Sequence, residues 1–319
     1  MKTVIANFFK SLELGGIEWH EGLAAVPVFS FLESRTPHIT LQEAFKTGQI
    51  EVRELSQCGS VPELFVINNG TQNILILDGE ELQGAKQNRV LNITILIAAQ
   101  AKVVVPVSCT EKGRWQYTSS VFRDSGTITA QSVRSRKNRS VSENLREGRA
   151  FSSDQSEVWS RIDDLAMRSN VRSRTGAMRD VFQDMEKKLE TFASALPAHE
   201  EQRGVIFFRG GDPAGFEYLS NPLAFRDLYP RILKSFAVEV AAERKPAEEG
   251  PTMEQVRIFI EKASSARVSV ADSAGRGEDI RFTGAGVIGS ALAYDEEILH
   301  AVFFPEGKSG GSVHEKGAM

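Results

Sequence analysis

The densest run of reactive side chains is Asp78-Gly79-Glu80-Glu81-Leu82-Gln83-Gly84-Ala85-Lys86-Gln87-Asn88-Arg89, set between two strongly apolar stretches. A hairpin connection needs about two to five residues, so a run this long, loaded with acids, amides and cations, carries more than a turn requires. Such surplus in a connection points to function. A second cluster, Ser108-Cys109-Thr110-Glu111-Lys112-Gly113-Arg114-Trp115, follows the next apolar run. If Val90–Ala98 and Val103–Val107 pair as a hairpin, both clusters reach the same end of one sheet and face each other across a groove.

The chemistry of that groove would be recognition of a phosphorylated ligand. Guanidinium forks on Arg89 and Arg114 suit bidentate phosphate binding, and the Trp115 indole offers a face for stacking a base. Lys86 adds a point charge, while Gln87 and Asn88 carry donors and acceptors that read ribose or base edges. Glu80, Glu81 and Glu111 suit sugar hydroxyls, and Glu81 and Glu111 also suit general acid–base work or a hard cation such as Mg²⁺. Arg281, on a strand further along, is a candidate for the same cavity. Cys109 has two readings, a nucleophile with its pKa lowered by Lys112 and Arg114, or a small buried residue at a strand end. The acids likewise have a plainer role, an internal Glu–Arg network holding the loops rigid.

The order Asp-Gly-Glu-Glu-Leu-x-Gly-Ala-Lys-Gln-Asn-Arg followed by Pro-Val-Ser-Cys-x-Glu-x-Gly-Arg-Trp resembles the family named for association with ADP-ribosylglycohydrolases and the rhodanese-phosphatase superfamily. The resemblance extends to Thr40–Ala44, Val158-Trp159, Gly275–Arg281 and His300. It implies a contextual link to ADP-ribose and nucleotide metabolism or bacterial conflict systems, and brings no reaction or catalytic residue with it. The expected function is binding, with hydrolysis or transfer left open, of an ADP-ribose-like or other nucleotide-derived ligand. The alternative is a non-enzymatic scaffold in a bacterial nucleotide-signalling or defence system.

Composition bounds the rest. With 319 residues, 41% hydrophobic and 25% charged, the chain suits one large or two ordinary domains. A net charge of -4 argues against a nucleic-acid partner, and no apolar run is long enough to span a bilayer. Two cysteines, Cys58 and Cys109, fit a reducing compartment, so a soluble cytoplasmic protein is expected. Five scattered histidines give no metal-ligand spacing, and none is assigned. Homo-oligomerisation is compatible with everything above.

The elements that must position the clusters read as an α+β fold. Residues 1–118 open on a helix at Met1–Leu14, have a capping box at Thr40–Glu43, and then run in short strands, a mostly antiparallel sheet. Residues 119–200 form an Arg/Ser-rich and helical connector in which strand signals vanish. Between Gln131 and Arg179 its local charge is +5, read as a solvated loop and polar helices over an anion-attracting arm. Met178 to Leu196 carries the apolar stripe of a helix. Residues 201–304 give a second α+β sheet layer, with glycine-rich turns at Arg209–Gly215 and Gly275–Asp279, a helix over Phe225–Ala242 and another from Thr252. His300 reads as a satisfied packing histidine, and 305–319 as a disordered tail.

Overall fold

A computed structural model describes residues 1–55 and 62–306. Helix α1 (Lys2–Lys10) is followed by strands β1 (Leu12–Leu14), β2 (Glu18–His20), β3 (Leu23–Ser30) and β4 (His38–Thr40), then helix α2 (Leu41–Lys46). Next come β5 (Ile50–Glu54), β6 (Glu63–Asn68), β7 (Asn73–Ile76), β8 (Glu80–Gly84), β9 (Arg89–Leu91), β10 (Ile95–Ile97), β11 (Lys102–Cys109) and β12 (Phe122–Ile128). Helices α3 (Gln131–Arg146), α4 (Gln155–Arg168), α5 (Met178–Asp184) and α6 (Glu186–Ala195) form the middle. The remainder is β13 (Gly204–Arg209), β14 (Asp212–Leu219), α7 (Pro222–Ala241), α8 (Met253–Ser264), β15 (Arg267–Asp272), β16 (Glu278–Gly284), β17 (Val287–Tyr294) and β18 (Glu297–Pro305). The fold is α+β, and among the described residues every strand pair except β4 with β7 is antiparallel.

Among the described residues, the largest sheet has nine strands in the order β1-β3-β13-β14-β18-β17-β16-β15, with β2 on β3. Its register, Val205 opposite Pro27 and Phe207 opposite Ala25, joins an early strand of the chain to one far along it. Alternate residues face opposite sides of a strand. Val205 and Phe207 therefore pack under α7 against Phe225, Leu228 and Phe236, while Ile206 and Phe208 pack with Phe8 of α1 and Phe259 of α8. Helices on both faces explain why these strands are continuously apolar rather than alternating.

A six-stranded sheet, β12-β8-β9-β11-β6-β5, and a three-stranded one, β10-β7-β4, enclose the other core, built on Val52, Val66, Ile76, Leu82, Leu91 and Val107. This sheet carries both polar clusters. Thr40 caps α2 by accepting from the Glu43 amide, and Thr252 with Gln255 forms a full capping box on α8, as their spacing predicts.

Four expectations change. The stretch from Asp78 to Arg89 is not one long loop, because Glu80–Gly84 is strand β8 and only the turn to Arg89 is irregular. Strand signals do not vanish after residue 118, since β12 pairs with β8 through backbone bonds that need no apolar pattern. The Arg209–Gly215 segment is the start of β14 as well as a turn, and the stripe from Met178 breaks at Met185 into α5 and α6. Cys58 and the tail from 307 lie outside the described residues; Pro305 closes β18. No helix among the described residues is long and apolar enough to cross a membrane.

Candidate functional site

The register of β9 on β11 sets Arg89 opposite Cys109, so the two clusters do meet at one sheet end. The Asn88 amide donates to Glu111 Oε2 at 3.3 Å, and Gln87 Nε2 donates to the Glu111 carbonyl at 2.9 Å. Arg114 closes the junction, with Nε 2.8 Å from Glu111 Oε2 and Nη2 3.1 Å from Asn88 Oδ1. Its remaining donors go to the carbonyls of Ala85 at 2.7 Å, Gln116 at 3.0 Å and Gly84 at 3.3 Å. All five guanidinium hydrogens are thereby spent within the protein. Arg114 is a clasp on the β8–β9 turn, where Ala85 holds φ 42° and Gly84 φ 140°, and not the free phosphate fork its position in the sequence suggests.

Arg89, Gln87 and Cys109 form a buried layer beneath that clasp. Arg89 bonds Gln87 Oε1 at 3.1 Å, contacts the Cys109 sulfur and lies 3.5 Å from Glu54. Burial pushes the Cys109 thiol up to about 11, against the pull of Arg89. The resident species is the thiol, which does not attack, so the nucleophile reading of Cys109 loses its basis. Gln155 of α4 brackets the same residue, accepting from its amide at 2.7 Å and donating to its carbonyl at 2.9 Å.

Trp115 is half exposed, and its face is taken by this protein's own Lys86, whose ammonium lies 5.2 Å from the Trp115 ring and 5.2 Å from the Tyr117 ring. Arg281 lies elsewhere, in β16, bound to Asp279 at 2.5 and 2.9 Å and stacked over Phe151. Of the residues singled out from sequence, Asn88, Glu111 and Arg114 line a groove of about 520 Å³. Lys86, Gln87, Arg89, Cys109, Trp115 and Arg281 do not.

The groove adds residues that sequence reasoning passed over. Arg123 of β12 and Arg179 of α5 both bond Gln83 Oε1, Arg123 at 3.3 Å. Neither is paired with a carboxylate among the described residues. Glu81 shares the strand face of Gln83, one residue pair deeper. It is fully buried, Thr110 Oγ1 donates to its Oε1 at 2.6 Å, and its Oε2 has no hydrogen-bond partner. Burial lifts its carboxyl to about 7, tempered by Thr110, Ser125 and Arg179 and reinforced by Glu111. A second chamber of about 190 Å³ shares Arg179 and Gln183 and is walled by Ser125, Thr127, Arg231 and Lys234. It sits at the bulge between Asp124 and Ile128, where Arg231 holds Asp124 bidentately at 2.9 and 2.6 Å.

Glu80, on the opposite face of β8, points to the interior. Leu77 N donates to it at 2.7 Å, Arg231 lies 3.9 Å away, and burial lifts it to about 8. Nearby runs a buried charge chain. Arg134 of α3 binds Glu217 of β14 through two bonds of 2.9 Å and lies 3.6 Å from Asp78. Lys137 contacts Asp78 and donates to the Leu91 carbonyl at 2.6 Å. His300 joins the end, 2.9 Å from Glu217 and 2.8 Å from Thr94. Burial would raise the Glu217 carboxyl, but Arg134 and His300 outweigh it and hold it at about 2. Burial pulls the Lys137 ammonium down to about 8. The basic stretch after Gln131 is thus partly an interior strut, contrary to its reading as a solvated segment. Among the described residues no three His, Cys, Asp or Glu side chains gather in a way that would hold a metal ion.

A family model for the ARG and Rhodanese-Phosphatase-superfamily-associated Protein domain matches residues 11–304. The chain belongs to that family. The match takes in β1 through nearly all of β18, and so both polar clusters, the groove and the buried chain. Comparison with curated proteins and with solved structures finds no match.

Proposed function

We propose that this domain binds a phosphate-bearing, nucleotide-derived ligand of the ADP-ribose type in the 520 Å³ groove, in the cytoplasm of a cell that uses such ligands as signals or in defence. Arg123 and Arg179 contact the phosphates, Asn88 and Glu111 take sugar hydroxyls, and hydrolysis or transfer would draw on Glu81, which lies buried behind the Gln83 wall with its carboxyl lifted to about 7. The observation that carries the reading is the pair of guanidinium groups without carboxylate partners, both anchored on Gln83 at the groove wall. A volume within the roughly 300–1,000 Å³ of small-molecule sites supports it. The family's association with ADP-ribosylglycohydrolases is a weaker second support.

The test is thermal unfolding with ADP-ribose, NAD and cyclic nucleotides. Ligand at about 100 times its Kd stabilises by about 2.7 kcal/mol, a rise of a few degrees in Tm. The expected result is that rise in the native protein and its loss in Arg179→Gln and Arg123→Gln. No shift with any of the ligands rejects the proposal. One observation favours a second reading, a scaffold without catalysis: Arg114 spends every donor holding loops together, as a structural residue does. That reading predicts no ligand-dependent shift, so the same titration separates the two.

A further inference from the structure

Helix α3 sends its cations in two directions. Arg134 and Lys137 turn inward to Glu217 and Asp78, whereas Arg136 and Arg139, offset by two positions and so by about 200° around the helix, turn outward. There they line a groove of about 940 Å³, the largest described, whose opposite wall is α4 with Arg161 and Arg168, seven residues apart and therefore on one helical face. Arg209 of β13 stands at the same groove.

Five guanidinium groups face three carboxylates, Asp164, Glu239 and Glu243, and the pairing is unequal. Arg168 holds Glu239 at 2.7 Å and Arg209 holds Glu243 at 3.3 Å. Arg161 lies 3.6 Å from Asp164 and Arg139 lies 3.6 Å from Glu306, both long contacts between solvent-touching groups, which yield readily to a stronger anion. Arg136 makes no ion pair with a described residue. On the same wall Ser132 Oγ is shielded from solvent and has no hydrogen-bond partner.

We propose that this groove is a second anion site, separate from the nucleotide groove, and that it takes a chain of linked phosphates. Three guanidinium forks that are unpaired or loosely paired, set on two facing helices, match a ligand that repeats its negative charge along its length. A single orthophosphate satisfies one fork only. Among the described residues the groove lining contains no aromatic side chain and so no stacking platform, and recognition falls on the phosphates rather than on a base. The chain's overall net charge of -4 does not oppose this, because the acids that create it lie largely elsewhere.

The experiment is isothermal titration of the full chain with sodium tripolyphosphate, ATP and orthophosphate at low and high salt, using native protein, Arg136→Gln/Arg139→Gln and Arg179→Gln. Tripolyphosphate is expected to bind, to weaken steeply with salt, and to lose at least tenfold in affinity in the Arg136/Arg139 variant while Arg179→Gln binds normally. Tripolyphosphate bound and ATP not points to inorganic polyphosphate, while equal binding of both shows that the phosphate chain is read whether or not it carries a nucleoside; either supports the site. Orthophosphate binding as tightly as tripolyphosphate, native affinity in the Arg136/Arg139 variant, or a loss in Arg179→Gln instead overturns it. Should the double variant fail to fold, Arg136→Gln alone, which breaks no ion pair, gives the same reading.

Discussion

Glu80 and Glu81 are neighbours on one strand, and the period of two sends them to opposite faces. Glu81 lies behind the groove and Glu80 under α7, yet both are fully buried and both are lifted, to about 7 and about 8. The folded value lies above the ordinary 4.5 of an unfolded chain, so the unfolded form ionises first and stability falls as pH rises from 4.5 through 8. At about 1.4 kcal/mol per pH unit, full ionisation of Glu81 removes on the order of 3 kcal/mol. Glu217 acts in the opposite sense and in a different window, its contribution lost only as pH falls from 4.5 toward 2. The expected outcome is a native Tm that declines between pH 5 and 9 and a visibly flatter decline in Glu80→Gln and Glu81→Gln. Identical slopes in all three proteins would show that these carboxyls are solvated. None of this polarity was hidden in sequence, where Glu80, Glu81, Glu111 and Arg114 stood out by type. Which donors were already spent was hidden, because Arg114 meets Ala85 and Gly84 only through the turn of another strand.

Helix α3 buries a face that its sequence does not announce. Arg134, Lys137, Asn138 and Val141 recur at helical spacing and form its buried face, but three of the four are polar, so no hydrophobic period announces the helix. The inward face exists only because Asp78 and Glu217 arrive from two other strands to meet it. The turn before β8 is shaped by the same contact. Gly79 holds φ +88°, and a Cβ there would stand 2.5 Å from Arg134 Nε. Gly79→Ala adds the strain of a positive φ, about 1–2 kcal/mol, and displaces a buried cation whose loss of partners is worth about 3–5 kcal/mol. Gly148, at φ +71° with nothing within 4 Å of a Cβ, isolates the first cost. Urea unfolding should show Gly148→Ala losing about 1 kcal/mol and Gly79→Ala at least ~3 kcal/mol. Equal losses would mean that Arg134 moves aside freely.

At the scale of the molecule, β3 pairs with β13 and the buried chain links Asp78 of the first half to Glu217 and His300 of the second. Residues 1–118 expressed alone would leave the apolar β3 without β13 and Asp78 without Arg134 and Lys137. That fragment is expected to show no cooperative thermal transition by circular dichroism, whereas the full chain unfolds in one; a cooperative fragment would refute the coupling. Local rules sufficed for much of this. Apolar runs, turn residues and the Thr40 and Thr252 caps located most strands and helices, and residue type and spacing located two clusters that share a sheet end, because those signals depend on neighbours along the chain. Long-range pairing decided the rest. The placement of Arg123 and Arg179 on one glutamine, the burial of Arg134 and Lys137, and the seat of β3 in the distant sheet arise from contacts between residues tens to hundreds of positions apart. No periodicity in a single segment encodes those contacts.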